Sequence, residues 1–193
     1  MNTFKRIFFG LIIAGAVIMV SYIVYKNNTK SFSPEDTVTY SSGDLTLEVF
    51  YNRPYKKERE IFGGLVPYGQ VWRTGANEAT TFYTSKDILV DGSLLPAGKY
   101  TLWTIPQEET WKVIFNSEMY PWGITAEQVP SRIAEYDVLV VEMPVVKLEN
   151  PVEQFTIFFE EKQQFITFNM VWDRTLIRVP IIDPEKVEQV KPS

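Results

Sequence analysis

Between residues 44 and 182 the apolar side chains recur with a period of two, and this alternation restricts the chain more than any other feature. Over residues 164–172, Ile166, Phe168, Met170 and Trp172 point one way, and Phe165, Thr167, Asn169 and Val171 the other. Over 44–51, Leu45, Leu47, Val49 and Tyr51 alternate with Thr46, Glu48 and Phe50. Successive side chains of a strand face opposite sides of a sheet, so each run lays one face on a core. Segments 79–85, 88–90, 99–105, 111–116, 137–146, 154–160 and 176–182, rich in Val, Ile, Thr and aromatics, predict further strands. Asp91-Gly92 and Pro96-Ala97-Gly98 supply turn chemistry between them, so Ile88 to Ile105 reads as strand, tight turn, strand. Many short strands at hairpin spacing predict an all-β fold, an antiparallel β-sandwich or jelly-roll-like domain over residues 36–182. Within it the one helical hint is Thr125-Ala126-Glu127-Gln128, a capping-box pattern cut short by Pro130, allowing at most a turn or two around 125–136.

The N-terminus obeys a different rule. Residues 7–25, IFFGLIIAGAVIMVSYIVY, carry no charge and are long enough to cross a hydrocarbon core as a transmembrane helix. A cleaved signal is the rival, but its apolar region is shorter; Ala14 and Ala16 lie mid-run, and Lys26 ends the run without a small-residue site. Lys5 and Arg6 precede the run and Lys26 and Lys30 follow it, so orientation rests on the short cationic tail, residues 1–6, staying cytoplasmic. Residues 26–35 then read as a polar tether, and 183–193 as a flexible polar tail. The expected location is a single-pass membrane protein, attached through residues 7–25, with its C-terminal domain on the periplasmic or extracellular side.

Composition removes much chemistry. With no cysteine and no histidine, zinc-thiolate sites, disulfides, thiol nucleophiles and every His-dependent catalytic pair are excluded. Residues 31–193 hold all 24 acidic residues and 15 of the 19 basic ones, a formal charge of −9, which disfavours nucleic acid as a partner. Asp87 and Asp91 lack the dense oxygen-ligand spacing of a calcium loop, so no metal site and no cofactor is expected.

Chemistry, if present, belongs to residues 53–78, RPYKKEREIFGGLVPYGQVWRTGANE, 26 residues without a regular pattern. A connection that long is uncommon in a compact domain unless it is functional or disordered, and its apolar Ile61, Phe62, Leu65, Val66, Val71 and Trp72 argue against disorder. The strings IFGGLVPYGQVWRTGANEATTF, LPAGKYTLWTIP and WKVIFN closely resemble the bacterial family of domain of unknown function 2911, most strongly over residues 60–116 and more loosely over 169–179. The resemblance implies an exported or envelope-located β-rich domain and carries no activity, cofactor or catalytic residue with it. Some members of that family begin with a cleavable signal, so membrane attachment rests on residues 7–25 alone.

The candidate ligand-binding residues are Arg53, Arg59, Trp72, Arg73, Asn77 and Glu78. Arg73 offers a bidentate fork to an anion, or else pairs a neighbouring carboxylate such as Glu78; that pair is the expectation, with Arg53 or Arg59 nearby leaving the site net positive. Asn77 reads equally as a turn residue or a ligand contact. Trp72, Trp103, Trp111, Trp122 and Trp172 are core residues or, in a sharper reading, a sugar-stacking platform. Glu58, Glu60, Glu78 and Asp173 are the pool from which a two-carboxylate hydrolase would draw. The combined reading is a membrane-anchored envelope domain that binds a small ligand or a partner protein without catalysis. A carbohydrate-active hydrolase and a structural module of an envelope assembly are the alternatives.

Overall fold

The computed structural model describes residues 3–163 and 165–185. Residues 1 and 2 of the expected cytoplasmic tail, Gln164 at the start of an expected strand, and 186–193 of the expected polar tail lie outside the described residues. Among the described residues one helix, α1 (Thr3–Phe32), precedes nine strands: β1 (Glu35–Ser42), β2 (Leu45–Asn52), β3 (Thr81–Thr84), β4 (Ile88–Val90), β5 (Ser93–Leu95), β6 (Gly98–Pro106), β7 (Thr110–Asn116), β8 (Asp137–Glu161) and β9 (Ile166–Ile182). All pairings are antiparallel, in the order β1-β2-β3-β6-β7-β8-β9-β4-β5. The fold is the expected all-β one with a single N-terminal apolar helix.

The two layers share β8. Its first part, Asp137 to Pro144, pairs with β7; from Val145 onward it pairs with β9, with register shifts between Lys147, Val152 and Thr156. Bulges bend a strand and re-aim it, which lets one chain segment pass from one sheet to the other. The expected strands 137–146 and 154–160 are therefore one strand of 25 residues. The hairpin β4–β5, turned at Asp91-Gly92 with Asp91 at φ 48° and Gly92 at φ 78°, leaves the first layer and pairs with β9. Ile88 and Gly98 thus lie in different layers.

The facing sides meet in an aromatic-rich core, and a smaller cluster of Ala79, Trp103 and Ile114 lies apart from it. Phe82 of β3 packs on Phe168 of β9 at 5.6 Å between ring centroids, Tyr51 of β2 on Phe155 of β8 at 5.7 Å, and Tyr40 of β1 on Phe159 of β8 at 6.1 Å. The predicted rows Leu45, Leu47, Val49, Tyr51 and Ile166, Phe168, Met170, Trp172 are buried. Each fully buried large apolar side chain contributes about 1.5–3 kcal/mol relative to exposure. Thr167, Asn169 and Val171, on the opposite side of β9, are buried as well, and the Asn169 amide donates to Thr167 O and Thr167 Oγ1, each at 3.0 Å.

Three local expectations are corrected. Residues 26–32, read as tether, continue α1 to Phe32. Lys26 and Lys30, four residues apart and so on one helix face, both reach Glu78 of the β-domain, which holds this extension. The capping-box residues 125–128 form a turn: Thr125 Oγ1 accepts the Glu127 N–H at 3.2 Å, but Gln128 adopts φ 63° and the chain bends away, leaving a 3-10 turn at Ala134–Tyr136. Asp183, at the start of the expected flexible tail, is buried and accepts the Glu185 N–H at 3.1 Å. The α1 side chains from Ile7 to Tyr25 are exposed, and the helix is long and apolar enough to cross a membrane.

Candidate functional site

Residues 53–80 fold as a stitched loop. The segment 54–56 runs beside β8, with Phe155 N–H donating to Pro54 O at 3.0 Å and Lys56 N–H to Glu153 O at 2.7 Å. Farther on, Trp72 exchanges both backbone hydrogen bonds with Thr104 of β6, at 2.7 and 3.0 Å, and Leu102 N–H donates to Thr80 O at 2.8 Å. Residues 73–79 are thus an excursion from an edge that would otherwise continue β3 along β6. The excursion needs left-handed backbone, supplied at Thr74 (φ 54°) and Asn77 (φ 56°) and at Gly75 (φ 154°). A Cβ on Gly75 would lie 2.9 Å from Asn52 O, so only glycine fits there. Thr80 Oγ1 donates to Thr74 O at 2.7 Å and Trp72 Nε1 to Gly75 O at 3.0 Å, which fixes the loop from inside.

Under this excursion lies a cavity of about 410 Å³. Its floor is aromatic: Trp72 and Trp172 are stacked at 6.0 Å and 19°, and both pack against Phe155. Pro54, Val66 and Leu65 add apolar wall, and Phe32 and Ser33, at the end of α1, close one side. The charged residues lining it are Lys57, Arg59 and Arg73, all cationic. The volume falls in the range of small-molecule sites.

Arg73 is the unusual member. Its aliphatic stem lies on Gly123, where a Cβ would stand 2.2 Å from Arg73 Cδ, so the absence of a side chain at Gly123 is what makes room for it. Arg73 Nε is shut off from solvent without a hydrogen-bond partner, and among the described residues no carboxylate pairs with the guanidinium. Burial lowers its pKa, and no neighbouring acid opposes that shift.

The expected Arg73–Glu78 pair does not form. Glu78 Oε1 is 3.4 Å from Lys26 Nζ and 3.3 Å from Lys30 Nζ, while Glu78 Oε2 accepts from Asn52 Nδ2 at 3.2 Å. Burial alone would raise the Glu78 pKa, but its own backbone N–H and the two lysines outweigh that and hold it below the usual carboxylate range. The physical reason is reach: the left-handed bends at Thr74, Gly75 and Asn77 send the two side chains in different directions.

The other predicted residues divide. Arg59 and Trp72 line the cavity with Arg73. Arg59 Nε donates to Lys56 O at 3.0 Å and Arg59 Nη2 bonds Tyr55 O, which leaves Nη1 uncommitted. Arg53 is spent elsewhere, on Asp36 at 3.1 Å, Phe155 O at 3.3 Å and Thr156 Oγ1 at 3.1 Å. Asn77 takes the turn role, its Nδ2 donating to Asn52 Oδ1 at 3.3 Å and its carbonyl accepting the Gly123 N–H at 3.0 Å. Of the carboxylate pool, Asp173 pairs with Lys56 at 3.1 Å, Glu58 and Glu60 are exposed, and none of the four lines the cavity. Trp72, Trp103, Trp111 and Trp172 are buried and Trp122 half-buried under the Lys26 ammonium, 5.7 Å from its ring, so the five do not form a stacking platform. Lys57, Phe32 and Gly123 escaped sequence reasoning. Lys57 was one of several loop cations, and only folding sets its Nζ 4.8 Å over the Phe32 ring.

A family model described as Protein of unknown function (DUF2911) matches residues 33–181. No curated protein and no solved structure matches the chain.

Proposed function

The chain belongs to the DUF2911 family of unknown function, and from the cavity beneath its Arg73 loop we propose that it is a membrane-anchored, envelope-facing module that binds a small ligand without catalysis. One observation carries the reading: a largely buried arginine, with no carboxylate partner among the described residues, lines a cavity of about 410 Å³ whose other charged lining residues, Lys57 and Arg59, are also cationic. Burying a charge without a partner is costly, so a protein that keeps one at a cavity gains most when an incoming anion completes the pair. This cavity offers the hydrolase alternative no support, since Glu58, Glu60, Glu78 and Asp173 are not among its lining residues.

Attachment rests on α1, whose apolar run is followed by a helical extension joined to the domain through Lys26 and Lys30. The cationic tail supports an orientation with residues 31–193 outside the cytoplasm, so protease added to intact spheroplasts is expected to digest the domain; protection until lysis would reverse the orientation. Ligand binding is tested on the full chain in non-ionic detergent, by titrating small carboxylates and phosphates and following tryptophan fluorescence, since Trp72 and Trp172 form the floor. Saturable change with anions, lost in Arg73→Gln, is expected. No response to any anion would overturn the reading.

A further inference from the structure

The same cavity specifies the chemistry of its ligand, and the inference rests on the ligand-binding reading above. We propose that it takes a phosphate monoester carried on an apolar body, with the phosphate against Arg73, Arg59 and Lys57 and the body along Phe32, Leu65 and Trp72.

Charge selects the head. Among the described residues three cations and no carboxylate line the cavity; the Lys57 ammonium lies over the Phe32 ring and Arg59 donates to two carbonyls, while the Arg73 guanidinium has no acceptor. A carboxylate brings one negative charge to this set. A phosphate monoester brings about −1.5 to −2 at neutral pH and three acceptor oxygens, a closer match to three cations lining one cavity. The Arg73 fork, with no protein acceptor among the described residues, supplies paired N–H groups of the geometry that grips two oxygens of one phosphate.

The walls select the body. Trp72, Trp172, Pro54 and Val66 make an apolar floor, while Phe32 and Leu65 at the rim are exposed, 56% and 47%. A free inorganic phosphate would leave this surface wet, whereas an apolar group attached to the phosphate would cover it.

Position suggests where such a ligand comes from. The apolar run of α1 ends at Tyr25, and Phe32, which lines the cavity, lies seven residues farther along the same helix, about 10 Å at 1.5 Å per residue. The headgroup layer of a bilayer is on the order of 5–7 Å deep on each side. If α1 spans the membrane, the mouth of the cavity stands at the outer limit of that layer, within reach of a lipid phosphate. A soluble phosphorylated aromatic or alkyl compound would present the same chemistry, and the experiment separates the two.

The full chain in non-ionic detergent is titrated with phenyl phosphate, benzoate and inorganic phosphate, following tryptophan fluorescence. In a second arm it is reconstituted in phosphatidylcholine vesicles with and without phosphatidic acid, and phenyl phosphate is added. Phenyl phosphate is expected to bind at least about tenfold more tightly than benzoate, the size of one charge-assisted contact, and than inorganic phosphate, from the apolar surface its ring covers. Lys57→Gln and Arg59→Gln, at exposed positions whose loss leaves the core intact, are each expected to weaken it several-fold, and Arg73→Gln more. Phosphatidic acid that suppresses the phenyl phosphate response assigns the ligand to the bilayer; an unchanged response assigns the same chemistry to a soluble compound. Benzoate binding as tightly as phenyl phosphate would overturn the phosphate assignment and leave the ligand-binding reading standing. Silence in every arm would overturn both.

Discussion

Glu78 and Arg73 sit five residues apart on one loop, both withdrawn from water, and the protein treats their charges in opposite ways. Glu78 is answered by two lysines and an asparagine amide. Arg73 is answered by nothing among the described residues, and its stem rests on Gly123. Compensation marks Glu78 as a fastener between the domain and the end of α1. Its absence at Arg73, among the described residues, leaves the charge that the proposed ligand would answer.

Urea melts of the full chain in detergent, followed by tryptophan fluorescence, test that contrast. The scale is set by Phe168→Ala, in the sandwich core away from both charges, which is expected to lose about 3–5 kcal/mol. Gly123→Ala drives a methyl into Arg73 and is expected to lose about 1–3 kcal/mol, with most of it recovered in the double variant Gly123→Ala/Arg73→Ala. Additive losses would show that the two residues do not share space. Glu78→Gln removes the charge that holds two partly exposed lysines and is expected to cost about 1 kcal/mol once solvent screening is allowed for. Smallest of all, Arg73→Met keeps the stem and deletes the unanswered charge, so stability should stay within about 0.5 kcal/mol or rise. A loss as large as that of Phe168→Ala would make Arg73 a structural residue and erase the distinction.

Acid offers a further test of the Glu78 side. Its folded pKa lies below the usual value, so its contribution is present above about 4.3, the unfolded glutamate range, and is lost as pH falls through the folded value. Stability of the wild type should therefore drop more than that of Glu78→Gln between pH 5 and the acid limit, by the roughly 1 kcal/mol that the pair contributes. Equal acid sensitivity in the two proteins would show that the lysines do not depend on the charge of Glu78.

The sandwich was legible where one face of a strand is buried and the other is not. Strands β2 and β9 announced themselves because Leu45 to Tyr51 and Ile166 to Trp172 alternate. Strand β1 gave no such signal: EDTVTYSS alternates only between exposed and half-buried positions, and hydrogen bonds to β2 along its length hold it. Continuity of β8 was hidden by Asn150-Pro151, which reads as a break, yet bulges absorb it. At the cavity, Arg59, Trp72 and Arg73 were legible as loop cations and an anchor on a conspicuous segment. Gly123 and Phe32 were not, because their roles arise from contacts across the fold that local pattern does not encode. The Arg73–Glu78 pair was the natural expectation from spacing, and backbone conformation at Thr74, Gly75 and Asn77 overruled it.

A strand that belongs to both layers also governs how the domain comes apart. Strand β8 gives its first part, Asp137 to Pro144, to β7 and its longer remainder to β9, so neither sheet can open without stripping hydrogen bonds from a segment the other still holds. The layers are tied again where Tyr51 OH accepts the N–H of Ile157, 106 residues away. Contacts of such long sequence separation form late and slowly. Amide protons along β8 should therefore exchange together, only through global unfolding, and the domain should behave as one cooperative unit with no stable half-sandwich.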